Sequence, residues 1–276
     1  MNIRIIEMNE NFLRFVVEGI DPALANTLRR IILSEVPTMA VDEVVIIENS
    51  SILHNEILAL RLGLIPLKTD LDSYNLPEDC SCKSEFGCSL CRSTLTLDVQ
   101  AGDEVRTVYS GDLVPEDPDV APTSDEIPIV KLAPGQKIRL EAYARLGRGK
   151  DHAKWQPVSL CIYRYMPKIE IDEERCNTCG RCVDICPKKV LAEKDGKIKV
   201  ENLIECTLCG DCVDSCGEEP PAIKVSWDDK TFIFDLESTG ALPVKRIVIE
   251  ALKALNEKFS DFMESLTEVA YEPKKD

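Results

Sequence analysis

Eight cysteines in two matched runs constrain this chain more than any other feature. The first run reads Cys176-x2-Cys179-x2-Cys182-x3-Cys186-Pro187, and the second Cys206-x2-Cys209-x2-Cys212-x3-Cys216. Thiolates two residues apart converge on one iron–sulfur cube, and in paired runs the fourth cysteine of each reaches across to the other cube. On that pattern Cys176, Cys179, Cys182 and Cys216 hold cluster one, while Cys206, Cys209, Cys212 and Cys186 hold cluster two. Two 4Fe-4S clusters are therefore expected, with a 3Fe-4S form of one left open. Disulfides and paired zinc sites are the competing readings, but zinc favours two pairs separated by a longer spacer.

A second group, Cys80-x-Cys82-x5-Cys88-x2-Cys91, lies in a polar stretch of Ser, Glu, Lys and Gly. Four thiolates within one short loop can close a tetrahedral zinc site, and four leave no open position for catalysis. A structural zinc is expected, against reduced unligated thiols or a third iron–sulfur site. The N-terminus, Met1-Asn2-Ile3-Arg4-Ile5-Ile6-Glu7, lacks the apolar core of a signal peptide. Thirteen cysteines in that context point to metal in a reducing cytoplasm and not to a disulfide scaffold. The net charge of −16 disfavours a broad phosphate-binding surface, so no direct specific nucleic-acid contact is expected. Apolar runs fall short of the roughly 18 residues of a membrane span. Two histidines, His54 and His152, leave little material for acid–base catalysis.

Along the chain, residues 2–18 alternate around Asn9-Glu10-Asn11 and predict a hairpin. Asp21 offers an N-cap with Pro22 behind it, and Leu24, Leu28, Ile31 and Ile32 follow at helical spacing up to Val36-Pro37. Arg29 and Arg30 sit on or beside the opposite face. Residues 39–48 predict a strand and 54–62 a second helix. Strands are expected at 93–100, 104–110, 136–146 and 158–166, and Cys161 inside the last reads as a buried apolar residue. Between 111 and 130, four prolines and six acids predict an exposed acidic connection. The loop Gly147–Pro157 carries His152, Lys154 and Trp155; an exposed Trp there suits a contact surface, a tucked one the core. Ala222–Trp227 and Thr231–Leu236 suggest a second hairpin around Asp228-Asp229-Lys230. Pro243 then opens a helical pattern through Val244, Ile247, Val248, Ala251, Leu252, Leu255, Phe259, Phe262, Met263 and Leu266. Its apolar face runs for about 24 residues, roughly 36 Å, too long for a small domain to cover, so a partner subunit is the natural cover.

The expected class is α+β. The two end segments, 1–48 and 222–276, are each too small to stand alone and together suit one discontinuous domain. Into it are inserted a mostly-β domain at 49–167, carrying the Cys80–Cys91 loop, and an iron–sulfur domain at 168–221.

Three separated motifs carry a resemblance. Asn26-Thr27-Leu28-Arg29-Arg30-Ile31-Ile32-Leu33-Ser34-Glu35-Val36-Pro37 resembles the first-helix motif of the α-type assembly subunits of RNA polymerase. Arg61-Leu62-Gly63-Leu64-Ile65-Pro66-Leu67 and His152-Ala153-Lys154-Trp155-x-Pro157 are similar to two further motifs of that family's archaeal and eukaryotic branch. The ferredoxin-like insertion is similar to that of the family's archaeal D-type members. The resemblance covers essentially the whole chain. It implies a non-catalytic scaffold subunit of DNA-directed RNA polymerase in archaea. Its α-subunit-type dimerisation domain would pair with subunit L, and the pair would nucleate assembly of subunits N and P and then the large catalytic subunits. It further implies partner contacts at Arg29, Arg30, His152, Lys154 and Trp155, and on the long helix at Val248, Leu252, Leu255 and Phe259. The cysteine loop corresponds to a zinc loop in the eukaryotic members, where three residues are expected in place of the five between Cys82 and Cys88. Leu60 stands where relatives commonly carry His, and the second cysteine run ends in Gly217 instead of Pro. The clusters read as mainly structural, with redox sensitivity as the sharper alternative. The competing function is an electron-transfer iron–sulfur subunit of an anaerobic oxidoreductase; no G-x-G-x-x-G follows a strand to bind its flavin or nicotinamide.

Overall fold

The computed structural model describes residues 1–84 and 86–271, with side chains described to residue 267. In chain order the elements are β1 (Asn2–Met8), β2 (Phe12–Glu18), α1 (Pro22–Ser34), β3 (Pro37–Asn49), α2 (Asn55–Gly63), β4 (Ser93–Gln100), β5 (Arg106–Tyr109), β6 (Val114–Pro115), β7 (Pro128–Leu132) and β8 (Lys137–Arg148). They continue with β9 (Val158–Ile171), α3 (Arg181–Ile185), β10 (Leu191–Lys194), β11 (Lys197–Val200), α4 (Asp211–Asp214), β12 (Ile223–Ser238) and α5 (Val244–Tyr271). The class is α+β with mostly antiparallel sheets.

The chain forms two compact units. One comprises Met1–Glu7, Arg14–Asn26 and Ile162–Asp235; the other Met8–Leu13, Thr27–Cys161 and Leu236–Asp276. These bounds cut across the expected segments, since residues 27–48 group with 49–161 and residues 168–221 group with strands from both ends. The reason is physical: β9 and β12 are long unbroken strands, so no change of composition marks the boundary inside them.

The first unit is built on a sheet of order β1-β2-β12-β9. The β1–β2 hairpin closes at Asn9, whose side-chain oxygen accepts from the N–H groups of Asn11 and Phe12 at 2.9 and 2.7 Å. Period-two alternation puts aromatic rings on one face. Phe15 stacks on Phe234 at 5.0 Å, and Tyr163 and Tyr165 pack on Phe232 at 5.7 and 5.1 Å. The expected hairpin at 228–230 is absent, because β12 runs straight through it. A two-residue hairpin of the favoured type needs positive φ, and none of these three residues has it. Asp228 instead accepts from Lys230 N–H and the Thr231 hydroxyl, both at 2.9 Å, within the continuous strand. Beyond β9 the cysteine runs wrap around the small hairpin β10–β11, paired Leu191 to Val200.

The second unit is organised around an antiparallel sheet of order β3-β8-β4-β6, with β5–β7 beside it. Its core gathers Met39, Leu58, Leu62, Leu67, Leu95, Leu97, Leu140 and Ala142. β6 and β7 both come from the stretch expected to be a structureless acidic connection. There Val120 and Ile129 are buried, so the acids line the outside of a segment that packs on its apolar residues. Among the described residues of α5, those fully buried lie in the first turns: Val244, Ile247 and Ala251.

Candidate metal centres

In each long run the chain coils left-handed on both sides of the second cysteine. Thr178 and Gly180 flank Cys179 at φ of 54° and 75°, and Leu208 and Gly210 flank Cys209 at 59° and 86°. A left-handed Thr or Leu costs about 1–2 kcal/mol and persists only where the surroundings impose it. The effect is to bring the first two thiols of each run round to the third, Cys182 or Cys212, which stands in the first turn of the short helix α3 or α4.

Two small pockets result, each with a cavity volume of about 20 Å3. One is lined by Cys176, Cys179, Cys182 and Cys216 with Ile171, Ile198 and Ile223. The other is lined by Cys186, Cys206, Cys209 and Cys212 with Ile169, Val190, Leu191 and Val225. The structure thus gathers the eight cysteines into the two crossed sets that the spacing suggests. The crossing cysteines each accept a backbone hydrogen bond at 3.4 Å, Cys216 from Ala222 and Cys186 from Val190. Burial pushes the Cys212 thiol up to about 11, reinforced by Cys206, Cys209 and Cys186. Burial likewise raises Cys182, whereas the Arg181 backbone N–H and guanidinium lower exposed Cys179. Soft donors in an apolar wall with backbone N–H groups aimed at sulfur match the chemistry of an iron–sulfur cube. At Gly217 a Cβ would meet the Arg181 guanidinium, the movable end of a long side chain that packs over the glycine.

The thiols of Cys80, Cys82, Cys88 and Cys91 form the other group, all within 4.8 Å of one another. Cys80 and Cys88 are 3.7 Å apart, Cys82 and Cys91 3.8 Å, and Cys88 and Cys91 3.9 Å. A zinc tetrahedron with bonds of about 2.3 Å has sulfur–sulfur edges of about 3.8 Å, so the donor set fits that ion. Cys88 N–H donates to Cys91 Sγ at 3.2 Å and Leu90 N–H to Cys88 Sγ at 3.4 Å, which orients the C-x2-C end. The Ser84 N–H pulls the Cys82 thiol down to about 7, while burial pushes Cys91 up to about 12.

One residue beside this loop was not anticipated. Arg92 donates to Phe86 O at 2.6 Å, pairs with Glu43 at 3.3 Å, and stacks 3.6 Å from the centre of the Tyr143 ring. It clips the cysteine loop to β3 and β8. The available signal was its position next to Cys91, combined with the outward turn of Tyr143 in the alternation of β8.

The residues expected at partner contacts fall into two groups. On α5, Leu252 and Phe259 are exposed at 50% and 58%, and Val248 and Leu255 are half-buried. Phe262, Met263 and Leu266 continue the exposed face. Arg30 and His152 are exposed and Arg29 half-buried. Trp155 and Lys154 instead face inward, which corrects the expectation that they meet a partner directly. Trp155 is only 4% exposed, donates from Nε1 to Arg145 O at 3.2 Å, and covers Gly147. Lys154 Nζ reaches Asp42 at 2.6 Å and Val41 O at 3.1 Å. Burial pushes the Asp42 carboxyl upward, but hydrogen bonds from Lys154 and Arg145 outweigh it and hold it below its ordinary value. No described helix is long and apolar enough to cross a membrane.

The description of the RNA polymerase Rpb3/Rpb11 dimerisation domain matches residues 14–259. A DNA-directed RNA polymerase subunit Rpo3 from Archaeoglobus fulgidus is 44% identical, covering 97% of this chain and 98% of its own. Subunits of the same name from Methanosphaera stadtmanae and Pyrobaculum arsenaticum are each 42% identical over 97% of this chain, and 99% and 97% of theirs. The chain therefore belongs to the RNA polymerase Rpb3/Rpb11 dimerisation family, in its Rpo3, or third-largest-subunit, branch.

Proposed function

We propose that this chain is a non-catalytic scaffold subunit of DNA-dependent RNA polymerase. It pairs with the small subunit L through α5, and the pair then receives subunits N and P and the large catalytic subunits. The observation that carries this reading is the uncovered apolar face of α5, from Leu252 to Leu266, in a chain whose family is described by dimerisation. Burial of such a face at about 25 cal/mol per Å2, over an interface of common size, contributes tens of kcal/mol before the entropy of association is counted. Arg29, Arg30 and His152 then serve the larger subunits. Trp155 and Lys154 support that role from beneath, by fixing the loop that presents His152.

Within this reading Cys176, Cys179, Cys182 and Cys216 hold one cluster, and Cys206, Cys209, Cys212 and Cys186 the other. Both staple a segment whose own apolar core is small. Cys80, Cys82, Cys88 and Cys91 hold a structural zinc. The test is to purify the chain with and without L and measure mass by light scattering. A stable one-to-one complex is expected; a well-behaved monomer that ignores L overturns the reading.

A further inference from the structure

Asp235 lies on β12 on the face opposite the aromatic rings, its side chain only 9% exposed. Two arginines from the neighbouring strands converge on it. Arg14 of β2 donates from Nε at 2.6 Å, and Arg164 of β9 approaches at 3.7 Å. Alternation explains the choice of face: Arg14 follows the opposite side from Phe15, and Arg164 stands between Tyr163 and Tyr165. Neither arginine ends there. Arg14 Nη1 donates to Glu205 Oε1 at 2.7 Å. Arg164 Nη1 donates to Ile204 O at 2.6 Å and to Cys206 O at 3.5 Å.

Each guanidinium therefore has one hand on the buried carboxylate of the sheet and the other on the three residues that lead into the cavity of the second cysteine set. Among the described residues the first set has no arginine tie to Asp235; it meets the sheet at the other end of the strands, through Ile171 of β9 and Ile223 of β12. Arg175, which precedes Cys176, pairs with Asp172 at 2.7 Å and donates to Pro220 O at 3.3 Å, both away from β2 and from Asp235.

We propose that Arg14 and Arg164 are positioning residues that lock the Ile204–Cys206 approach to cluster two onto Asp235, so that cluster two and not cluster one is coupled to the Asp235 end of the β2–β12–β9 sheet. This rests on the iron–sulfur reading given above. The physical cause is that hydrogen bonds to the residues carrying a ligand fix its direction, and a buried carboxylate deprived of a partner destabilises the strand that bears it.

The coupling is tested in both directions on the full-length holo-chain. In Arg164→Lys, which keeps the charge but cannot span both acceptors, an iron chelator should strip cluster two about tenfold faster while cluster one is unchanged. Electron paramagnetic resonance separates the two signals. Glu205→Gln, at a half-exposed position, provides a milder second variant and should give a smaller change in the same sense. Conversely, hydrogen exchange at residues 13–16 and 232–236 should accelerate in Cys209→Ser and stay at the wild-type rate in the symmetry-matched Cys179→Ser. If the two cysteine variants loosen those strands equally, or if Arg164→Lys leaves cluster two as durable as before, the clamp is overturned while the clusters stand. If the holo-chain holds no second cluster by iron analysis, the iron–sulfur reading falls and the clamp with it.

Discussion

Gly147 lies flat against the indole of Trp155, so close that a Cβ on it would overlap the ring. The contact closes the loop between β8 and β9 and fixes what the loop shows to solvent. The same loop holds Lys154 over the ring at 4.3 Å and the Thr38 hydroxyl on Trp155 O at 2.8 Å. Gly147→Ala should lower the folding free energy by about 1–3 kcal/mol through overpacking, and Trp155→Ala by about 3–5 kcal/mol through the cavity left behind. Denaturant midpoints on the isolated chain measure both.

The exposed half of α5 should behave in the opposite way. Phe259→Glu and Leu252→Glu touch little of their own chain, so folding stability should move by no more than about 0.5 kcal/mol. Pairing with subunit L should weaken by about 2 kcal/mol or more for each, as expected for an apolar anchor at the centre of an interface. Calorimetric titration of the variants with L measures this against unfolding of the same proteins.

Removal of Arg92 tests the clip on the cysteine loop. Arg92→Ala leaves all four thiols in place, but frees Phe86 O and uncovers Tyr143. Zinc retention against a chelator should drop about tenfold, the usual effect of losing a group that orients a ligand loop. Cys91→Ser should abolish stoichiometric zinc altogether. Metal analysis after dialysis reads both.

Tyr74 supplies a dependence on pH. Its hydroxyl donates to Asp117 Oδ2 at 2.6 Å, and burial first, then that carboxylate, pushes its pKa up to about 12. An unfolded tyrosine titrates near 10. The raised folded value means that the protonated ring stabilises the fold fully below about pH 10, a contribution that disappears as the pH climbs towards 12. Tyr74→Phe should cost about 1–2 kcal/mol at neutral pH. The variant should also show a shallower fall in stability between pH 10 and 12, followed by fluorescence unfolding curves.

Iron removal should act locally. On the iron–sulfur reading, stripping the clusters leaves residues 172–221 with a small core around Leu191, Ile198 and Cys212 that packs on Ile223 of β12. Limited proteolysis of the iron-free chain should cut first within that stretch, while residues 27–161, with their large apolar core, remain protected.

How far the sequence could be read depended on whether a signal was local. The crossed cysteine sets were legible because ligand spacing is set by a few backbone torsions. The α5 face was legible because a helix displays its period along its own length. Asp21 as a cap was legible too, and it accepts from Leu24 N–H at 2.7 Å. Trp155 was not, because its burial depends on Gly147 and Arg145 on another strand. The Asp228–Lys230 stretch has turn-forming composition, but Gly19 and Ile20 both donate to Lys230 O and hold it in the sheet. Arg14, Asp235 and Arg164 come from three distant parts of the chain, and no pattern in any one of them announces the others.

α5 is 28 residues, about 42 Å; its buried residues, Val244, Ile247 and Ala251, lie in the first turns, and Lys258 further along reaches Glu35 at 3.2 Å. A helical stretch with little tertiary support is marginal in water, so its outer half has to borrow its order from another chain. A copy left without that chain displays a row of phenylalanine, methionine and leucine to the solvent. On the scaffold reading, such a copy would be open to proteases and chaperones, and the surface that builds the assembly would also mark an unpaired subunit.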